Sequence, residues 1–172
     1  MVAPWLVPLV TPPPMRFRSF VLPALLPPLA GCIERISAPA CTAGTSTQAS
    51  VSGDTVTTTT GLRYIEGTAG PGAAVDWCQN VAIHYTASIL DGPEFDTSRG
   101  GAPLVFAPGV GGVIDGVEEG VVGVRVGGTR RLIIPPGLAF GPEPRRNVEG
   151  EVIIPGNSTV VFDIEVVGAA PR

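Results

Sequence analysis

The stretch "VAIHYTASILDGPEFDTSR", Val81 to Arg99, combines a strand pattern with a chain reversal. Its first half alternates apolar residues with smaller or polar ones, which is typical of a half-buried β-strand. Asp91 and Gly92 then form a turn signal. The returning chain brings Phe95 and Asp96 back toward Tyr85, so the hairpin is predicted to gather two aromatic side chains and one carboxylate. No obvious nucleophile accompanies them.

The rest of the chain from Leu62 continues this pattern of short strands separated by turns. "TRRLIIPP" and "STVVFDIEVV" both have strand character, and the second alternates strictly. Helical spacing is found in "GVIDGVEEGVVGVRVGG", where Val113, Val117, Val121 and Val124 share one face and Glu118 and Glu119 are expected on the opposite face. Glycines inside this segment weaken a helix, so we expect the sheet to hold it in place.

Composition and charge restrict the class of protein. A length of 172 residues suits one domain with appendages, and 23 glycines with 19 prolines indicate short strands joined by turns. The net charge is -4 and no basic run occurs. We therefore expect no nucleic-acid partner, since that function needs a concentrated positive surface.

The first 31 residues differ from the rest, because they are rich in Leu, Val, Ala and Pro and contain no acidic residue. Read from Met15, which is an alternative start, they show a short basic region, an apolar core and small residues before Cys32. This order is typical of a signal peptide. "LAGC", Leu29 to Cys32, resembles the bacterial lipoprotein box, which implies lipidation of Cys32. The alternative is an apolar leader followed by an incidental cysteine.

Residues 32–61 are predicted to be a flexible linker, because most of them are Ser, Thr, Ala and Gly. Two further cysteines, Cys41 and Cys78, would pair in an oxidising compartment. Two unpaired thiols are the alternative. A metal site is not expected, since two cysteines and His84 do not complete a tetrahedral ligand set.

Three ordered blocks carry a resemblance to a known family: "VAIHYTASILDGPEFDTSR", "VIDGVEEGVVGVRVGGTRRLIIPPGLAFG" and "IIPGNSTVVFDIEVV". Residues 62–167 resemble an FKBP-type peptidyl-prolyl cis-trans isomerase. This resemblance implies an α+β fold in which a curled antiparallel β-sheet wraps around one short α-helix. The expected organisation is a signal peptide over 1–31, a linker over 32–61, the isomerase domain over 62–168 and a tail over 169–172.

The resemblance also implies a catalytic pocket, expected without metal or cofactor. Its implied catalytic residues are Tyr85, Phe95, Asp96, Ile114, Phe140 and Phe162. The implied substrate-binding residues are Arg99, Leu104, Phe106, Val113, Val117 and Ile153. In this family the backbone N–H at the position of Ile114 donates to a substrate carbonyl, and Tyr85 and Arg99 are the candidates for holding Asp96.

Several of these residues also have an ordinary structural interpretation. Val113, Ile114, Phe106 and Phe162 would suit the core of any such sheet, and Asp96 could simply start a turn. His84 alternates with Tyr85, so it should point away from the pocket and is a poor general base.

Two departures from the family pattern bear on activity. Val117 stands where relatives usually carry tryptophan, and Phe140 stands where they often carry tyrosine. We expect modest activity and weaker binding of macrolide inhibitors. The segment Pro142–Val152, which we call the flap, is also longer and more charged than is usual in the family.

Two functions from different classes follow. The first is a monomeric isomerase, lipid-anchored on the periplasmic side of a bacterial envelope, most simply at the outer membrane, that acts on proline-containing polypeptides. The second is a catalytically weak binding module or chaperone for proline-containing segments. A purely structural envelope lipoprotein would leave the pocket residues unexplained.

Overall fold

The computed structural model describes residues 50–52 and 54–172 of the chain. Ten strands, one α-helix and one turn of 3-10 helix account for its regular structure. In chain order they are β1 (Ser50–Ser52), β2 (Thr55–Thr57), β3 (Arg63–Glu66), β4 (Asn80–Ile89), β5 (Glu94–Thr97), β6 (Leu104–Phe106), α1 (Asp115–Val121), β7 (Thr129–Ile134), the 3-10 turn (Pro136–Leu138), β8 (Arg145–Arg146), β9 (Val152–Ile154) and β10 (Val160–Ala170).

The main sheet is antiparallel and has β10 near its centre. Its strand order is β1-β2-β3-β7-β10-β4-β5, and β6 pairs with β4 beyond the end of β5. β8 and β9 form a separate hairpin that carries the flap. The predicted α+β class, an antiparallel sheet around one short helix, is confirmed.

The alternation predicted for the two longest strands is confirmed by their burial. Val81, Ile83 and Ala87 of β4 are buried, and so are Val160, Phe162, Ile164 and Val166 of β10. The two strands pair in register from Val160 opposite Ile89 to Ala170 opposite Asn80, with a bulge between Val166 and Gly168. Their inner faces therefore form one continuous apolar wall.

The helix α1 packs against β7 and β10, and two glycines permit its close approach to β7. A Cβ at Gly116 would lie 2.3 Å from Ile134 Cγ2, and one at Gly120 would lie 2.6 Å from Leu132 Cδ1. The low helix propensity of these residues is thus offset by the contact with β7, as the sequence suggested.

Two predicted boundaries are wrong. Residues 50–57 belong to the predicted linker, yet β1 and β2 extend the sheet, with Val56 opposite Tyr64 of β3. The alternating Thr and Val side chains of β2 favour a strand where a free sheet edge is available. The predicted tail begins at residue 169, but Ala169 and Ala170 still pair with β4.

The predicted signal peptide, residues 1–31, and the linker up to residue 49 lie outside the described residues. Within the described part, no helix has the length and apolar character needed to span a lipid bilayer.

Candidate functional site

The hairpin of β4 and β5 brings Tyr85 and Asp96 together. Asp91 adopts a left-handed backbone conformation, with φ of 57°, and the Gly92 N–H donates to the Ile89 carbonyl to close the turn. The Tyr85 hydroxyl donates to Asp96 Oδ2 at 2.6 Å, and the Thr97 N–H donates to Asp96 Oδ1 at 2.8 Å. Both carboxylate oxygens of Asp96 are therefore engaged, and the carboxylate is held in one orientation.

Tyr85 is a persistent hydrogen-bond donor. Partial burial raises its pKa to about 12, and the hydrogen bond to Asp96 and the negative charge of that carboxylate act in the same direction. The phenol therefore stays protonated across the physiological pH range.

Four aromatic rings from four separate segments meet beside this pair. Tyr85 stacks on Phe162 of β10, with ring centroids 5.6 Å apart. Phe95 meets Phe162 edge to face at 6.3 Å and Phe140 edge to face at 6.0 Å. These offset and edge arrangements are the favourable ones for aromatic rings, so the wall is well ordered.

A cavity of about 530 Å³ opens between this aromatic wall and the hairpin of β8 and β9. Its lining residues are Phe95, Asp96, Phe140, Arg145, Arg146, Ile153 and Ile154. The sequence predicted four of these, and it missed Arg145, Arg146 and Ile154. The signal was the doublet "RR" in the flap, but the sequence alone cannot show that a charged loop folds back over an aromatic residue.

On the helix side, Glu118 shapes the loop that leads to Ile114. Glu118 is only 7% exposed, and its carboxylate accepts hydrogen bonds of 2.8–2.9 Å from the N–H groups of Gly109, Gly111 and Gly112. The prediction that Glu118 faces away from the apolar side is therefore wrong. A buried carboxylate needs such donors, and the glycine-rich loop supplies them.

Ile114 immediately precedes α1 in an extended conformation, with φ of -64° and ψ of 144°. Its carbonyl accepts from Val117 and Glu118, while within residues 54–172 its own N–H donates to no other group. That N–H is thus available to a ligand carbonyl.

The remaining predicted residues are divided between the core and the surface. Phe106 and Val117 are buried in the core, and Leu104 and Val113 pack against it while partly exposed. Arg99 does not hold Asp96, because its guanidinium pairs with Glu165 at 3.3 Å. Glu165 alternates with the buried Ile164 and Val166, so Arg99 lies on the outer side of β10.

His84 is also remote from this chemistry, since its Nδ1 lies 3.2 Å from Ser98 Oγ. Among the described residues, no three His, Cys, Asp or Glu side chains converge as a metal site requires. Cys78 takes part in a disulfide. Cys41, its predicted partner, and Cys32 lie outside the described residues, so that pairing stays a prediction.

Comparison with known proteins gives a consistent result. The family profile of FKBP-type peptidyl-prolyl cis-trans isomerases matches residues 73–167, more than half of the chain. The photosynthetic NDH subunit of lumenal location 4 from Arabidopsis thaliana chloroplasts is 47% identical over 98 residues, which are 53% of this chain and 45% of that protein.

The FKBP-type peptidyl-prolyl cis-trans isomerase FkpA of Escherichia coli K12 is 41% identical over 116 residues, covering 67% of this chain and 40% of the relative. The crystal structure of FkpA from Escherichia coli superposes with a TM-score of 0.58 at 39% identity, covering 70% of this chain and 53% of that one. The chain thus spans about half the length, or less, of these relatives.

Proposed function

Because the chain belongs to the FKBP-type peptidyl-prolyl cis-trans isomerase family, we propose that it catalyses rotation about Xaa-Pro peptide bonds in polypeptides. The barrier to this rotation is about 18–20 kcal/mol, because amide resonance must be broken. No covalent bond is made or cleaved, so the reaction needs neither a nucleophile nor a metal ion. The observation that carries the proposal is the ring cluster of Tyr85, Phe95, Phe140 and Phe162 beside the oriented Asp96 carboxylate.

In this mechanism the aromatic wall favours the twisted amide. The planar ground state has a large carbonyl dipole that water solvates well, whereas the twisted state has lost resonance and part of that dipole. A dry pocket lined by rings therefore stabilises the transition state relative to the bound ground state. The N–H of Ile114 donates to a carbonyl of the substrate backbone, and Asp96 fixes the orientation of the bound chain.

The test is the relaxation rate of a peptide with one Xaa-Pro bond, measured with and without the full chain. We expect acceleration by the wild type and a marked loss in Phe95→Ala, because Phe95 contacts both Phe140 and Phe162. Val148→Ala, in the fully exposed part of the flap, is the matched control and should retain the rate. Relaxation equal to the uncatalysed reaction at saturating protein would refute the isomerase function.

A binding module is the second candidate function, and two residues favour it. Val117 provides a small side chain where relatives usually carry tryptophan, and Phe140 has no hydroxyl where they often carry one. Such a protein would hold proline-containing segments, and macrolides weakly, but turn substrate over slowly. Tight binding of the peptide without acceleration of its relaxation would identify this function.

We propose further that the protein is exported. Residues 1–31 act as a signal peptide, Cys32 is lipidated, and residues 32–49 tether a monomeric domain on the periplasmic side of a membrane, most simply the outer one. Three observations support export: the "LAGC" box, the disulfide at Cys78, and a relative named for a lumenal location.

The lipid anchor is tested by the variant Cys32→Ala, which should release the protein into the soluble fraction. A native N-terminus without acyl chains would contradict the anchor.

We also propose that Cys41 is the disulfide partner of Cys78. Peptide mapping of the exported protein without reductant should recover the two cysteines in one linked fragment. Labelling of both as free thiols would refute the pair.

A further inference from the structure

Two arginine side chains line the cavity together with Asp96. Arg145 and Arg146 form β8, and the Arg145 guanidinium lies 5.6 Å from the ring centroid of Phe140. This distance is within the range of a cation–π contact. Arg146 donates from Nη1 to the Gly150 carbonyl at 2.8 Å, which fixes its side chain across the flap hairpin.

Neither guanidinium has an acidic partner in the described residues. The ion pairs there join Arg99 to Glu165, Arg130 to Glu66 and Arg131 to Asp163. Asp96 shares the cavity, but its two oxygens already accept from Tyr85 and Thr97.

The flap's own glutamates leave this imbalance in place. Glu143, Glu149 and Glu151 do not line the cavity, and Glu151 accepts a hydrogen bond from Asn147 instead. The cavity lining therefore carries two arginines without an ion-pair partner and one carboxylate, Asp96, so positive charge is in excess there although the chain as a whole is negative.

We propose that Arg145 and Arg146 select substrates in which an Asp or Glu residue directly adjoins the proline. The inference rests on the proposed function, since it places the proline ring against the aromatic wall. A neighbouring residue lies about 3.8 Å along the chain, so its carboxylate comes within reach of the Arg145 guanidinium, which lies over the Phe140 ring. Arginine suits this role because its planar fork binds a carboxylate through two parallel hydrogen bonds.

The exposed apolar side chains near the arginines fit the same occupant. Val152 and Ile153 are roughly half exposed; Ile153 lines the cavity, and Val152 pairs with Arg146 in the flap hairpin. An extended polypeptide crossing the cavity would cover them, and its acidic residue would meet the arginines. The selected segment is therefore acidic at one position and apolar around it.

The experiment compares labelled peptides that differ only at the residues flanking one proline: Glu, Gln or Lys on either side. Binding to the full chain is measured by fluorescence anisotropy, and isomerisation by relaxation rate. We expect the Glu peptide to bind about two- to fivefold more tightly than the Gln peptide on at least one side, as for a partly exposed ion pair. The Lys peptide should bind least, and high salt should reduce the preference.

The double variant R145Q/R146Q should abolish the preference for Glu. The matched control R63Q/R172Q removes two exposed positive charges that do not line the cavity, and it should keep the preference. Equal loss in both variants would assign the effect to net charge and overturn the inference.

The outcomes separate the two proposals. Equal binding of Glu and Gln peptides on both sides overturns the selection by Arg145 and Arg146 but leaves the isomerase function intact. If no peptide is isomerised, the proposed function fails, while the anisotropy ratio still decides whether the arginines select a carboxylate.

Discussion

The helix α1 with its preceding loop, here called the helix side, and the flap hairpin, here called the flap side, are built differently. On the helix side, α1 packs on β7 through Gly116 and Gly120, and the buried Glu118 binds three backbone N–H groups before Ile114. On the flap side, Asn147 organises the turn by accepting from the N–H groups of Glu149 and Glu151, and Val148 is fully exposed. One side depends on the core, whereas the other depends on its own short-range bonds.

Because of this difference, the two sides suit different roles in the proposed function. In the proposed mechanism the N–H of Ile114 is a donor common to all substrates, and the helix side holds it in a fixed place. The flap carries Arg145 and Arg146 on an exposed hairpin whose sequence can change without disturbing the core. Substitutions should therefore lower the free energy of unfolding strongly on the helix side and only slightly in the flap.

Leu132→Ala should produce the largest effect. Leu132 is fully buried and lies against Gly120 of α1, so its truncation should lower the free energy of unfolding by about 2–5 kcal/mol. Val148→Ala in the flap should change it by less than about 0.5 kcal/mol. Urea unfolding of both variants checks this, and similar losses would show that the two sides do not differ in stability as described.

Glu118→Ala should come next. Three N–H groups lose a charged acceptor, and we expect a loss of about 1.5–3 kcal/mol, since water reaches the exposed members of that loop. Relaxation of an Xaa-Pro peptide should slow as well, because the loop positions Ile114. Glu118→Gln, which keeps one acceptor oxygen, should retain part of the stability and part of the relaxation rate that Glu118→Ala loses.

Glu119→Ala is the matched control for that position. Its carboxylate accepts from the Thr60 hydroxyl at the surface, so the variant should keep wild-type stability and rate. Equal behaviour of the two alanine variants would remove Glu118 from the positioning of Ile114.

The ionisation of Tyr85 tests the hairpin of β4 and β5, which contributes Phe95 and Asp96 to the cavity lining. The chain has two tyrosines, so in a Tyr64→Phe variant the phenolate signal comes from Tyr85 alone. The Tyr85 pKa of about 12 predicts that roughly one tenth of this side chain is phenolate at pH 11. For free tyrosine the fraction at that pH is about nine tenths. Because the folded pKa is raised, stability should be full below pH 10 and fall as the pH rises from 10 toward 12.

Asp96→Asn should lower the pKa of Tyr85 only part of the way toward the ordinary tyrosine value, since burial is the largest cause of the shift. Phenolate absorbance against pH measures both proteins. A return to the ordinary tyrosine value in Asp96→Asn would make Asp96, rather than burial, the main cause.

Apart from the control variants, Phe140→Tyr should have the smallest effect on free energy. Phe140 lines the cavity at the base of the flap, and a hydroxyl there would offer a bound ligand one more donor. A net gain of about 0.5–1.5 kcal/mol raises affinity for a macrolide roughly 2- to 12-fold. Isothermal titration and thermal unfolding check it, and a lowered melting temperature without tighter binding would mean that the ring belongs to the core rather than to the cavity wall.

The sequence predicted the features that depend on periodicity and local turns. Alternation in β4 and β10, the turn at Asp91 and Gly92, and the meeting of Tyr85 with Asp96 all follow from residues close in the chain. Helical spacing identified α1 but missed the burial of Glu118, because a carboxylate facing inward is predictable only when its three donors are known. The same limit applies to Arg99, whose partner Glu165 is brought near by the pairing of β10 with β4.

In the flap, the sequence does not determine where the charged side chains lie. Its sequence showed only that it is longer and more charged than is usual in the family, whereas the structure places Arg145 over the Phe140 ring and in the cavity lining. Side chains such as arginine can cover an aromatic ring while keeping their charge in water, so composition alone does not place them. The strands β1 and β2 were missed because short polar strands form only where a neighbouring edge accepts them.

The position of β10 in the sheet has a consequence for biosynthesis. β10 follows all the other described strands, and it lies between β7 and β4 and pairs with both. The two halves of the sheet can therefore join only after β10 has been synthesised. Until then β7 and β4 each lack a partner on one edge, and unpaired strand edges favour aggregation.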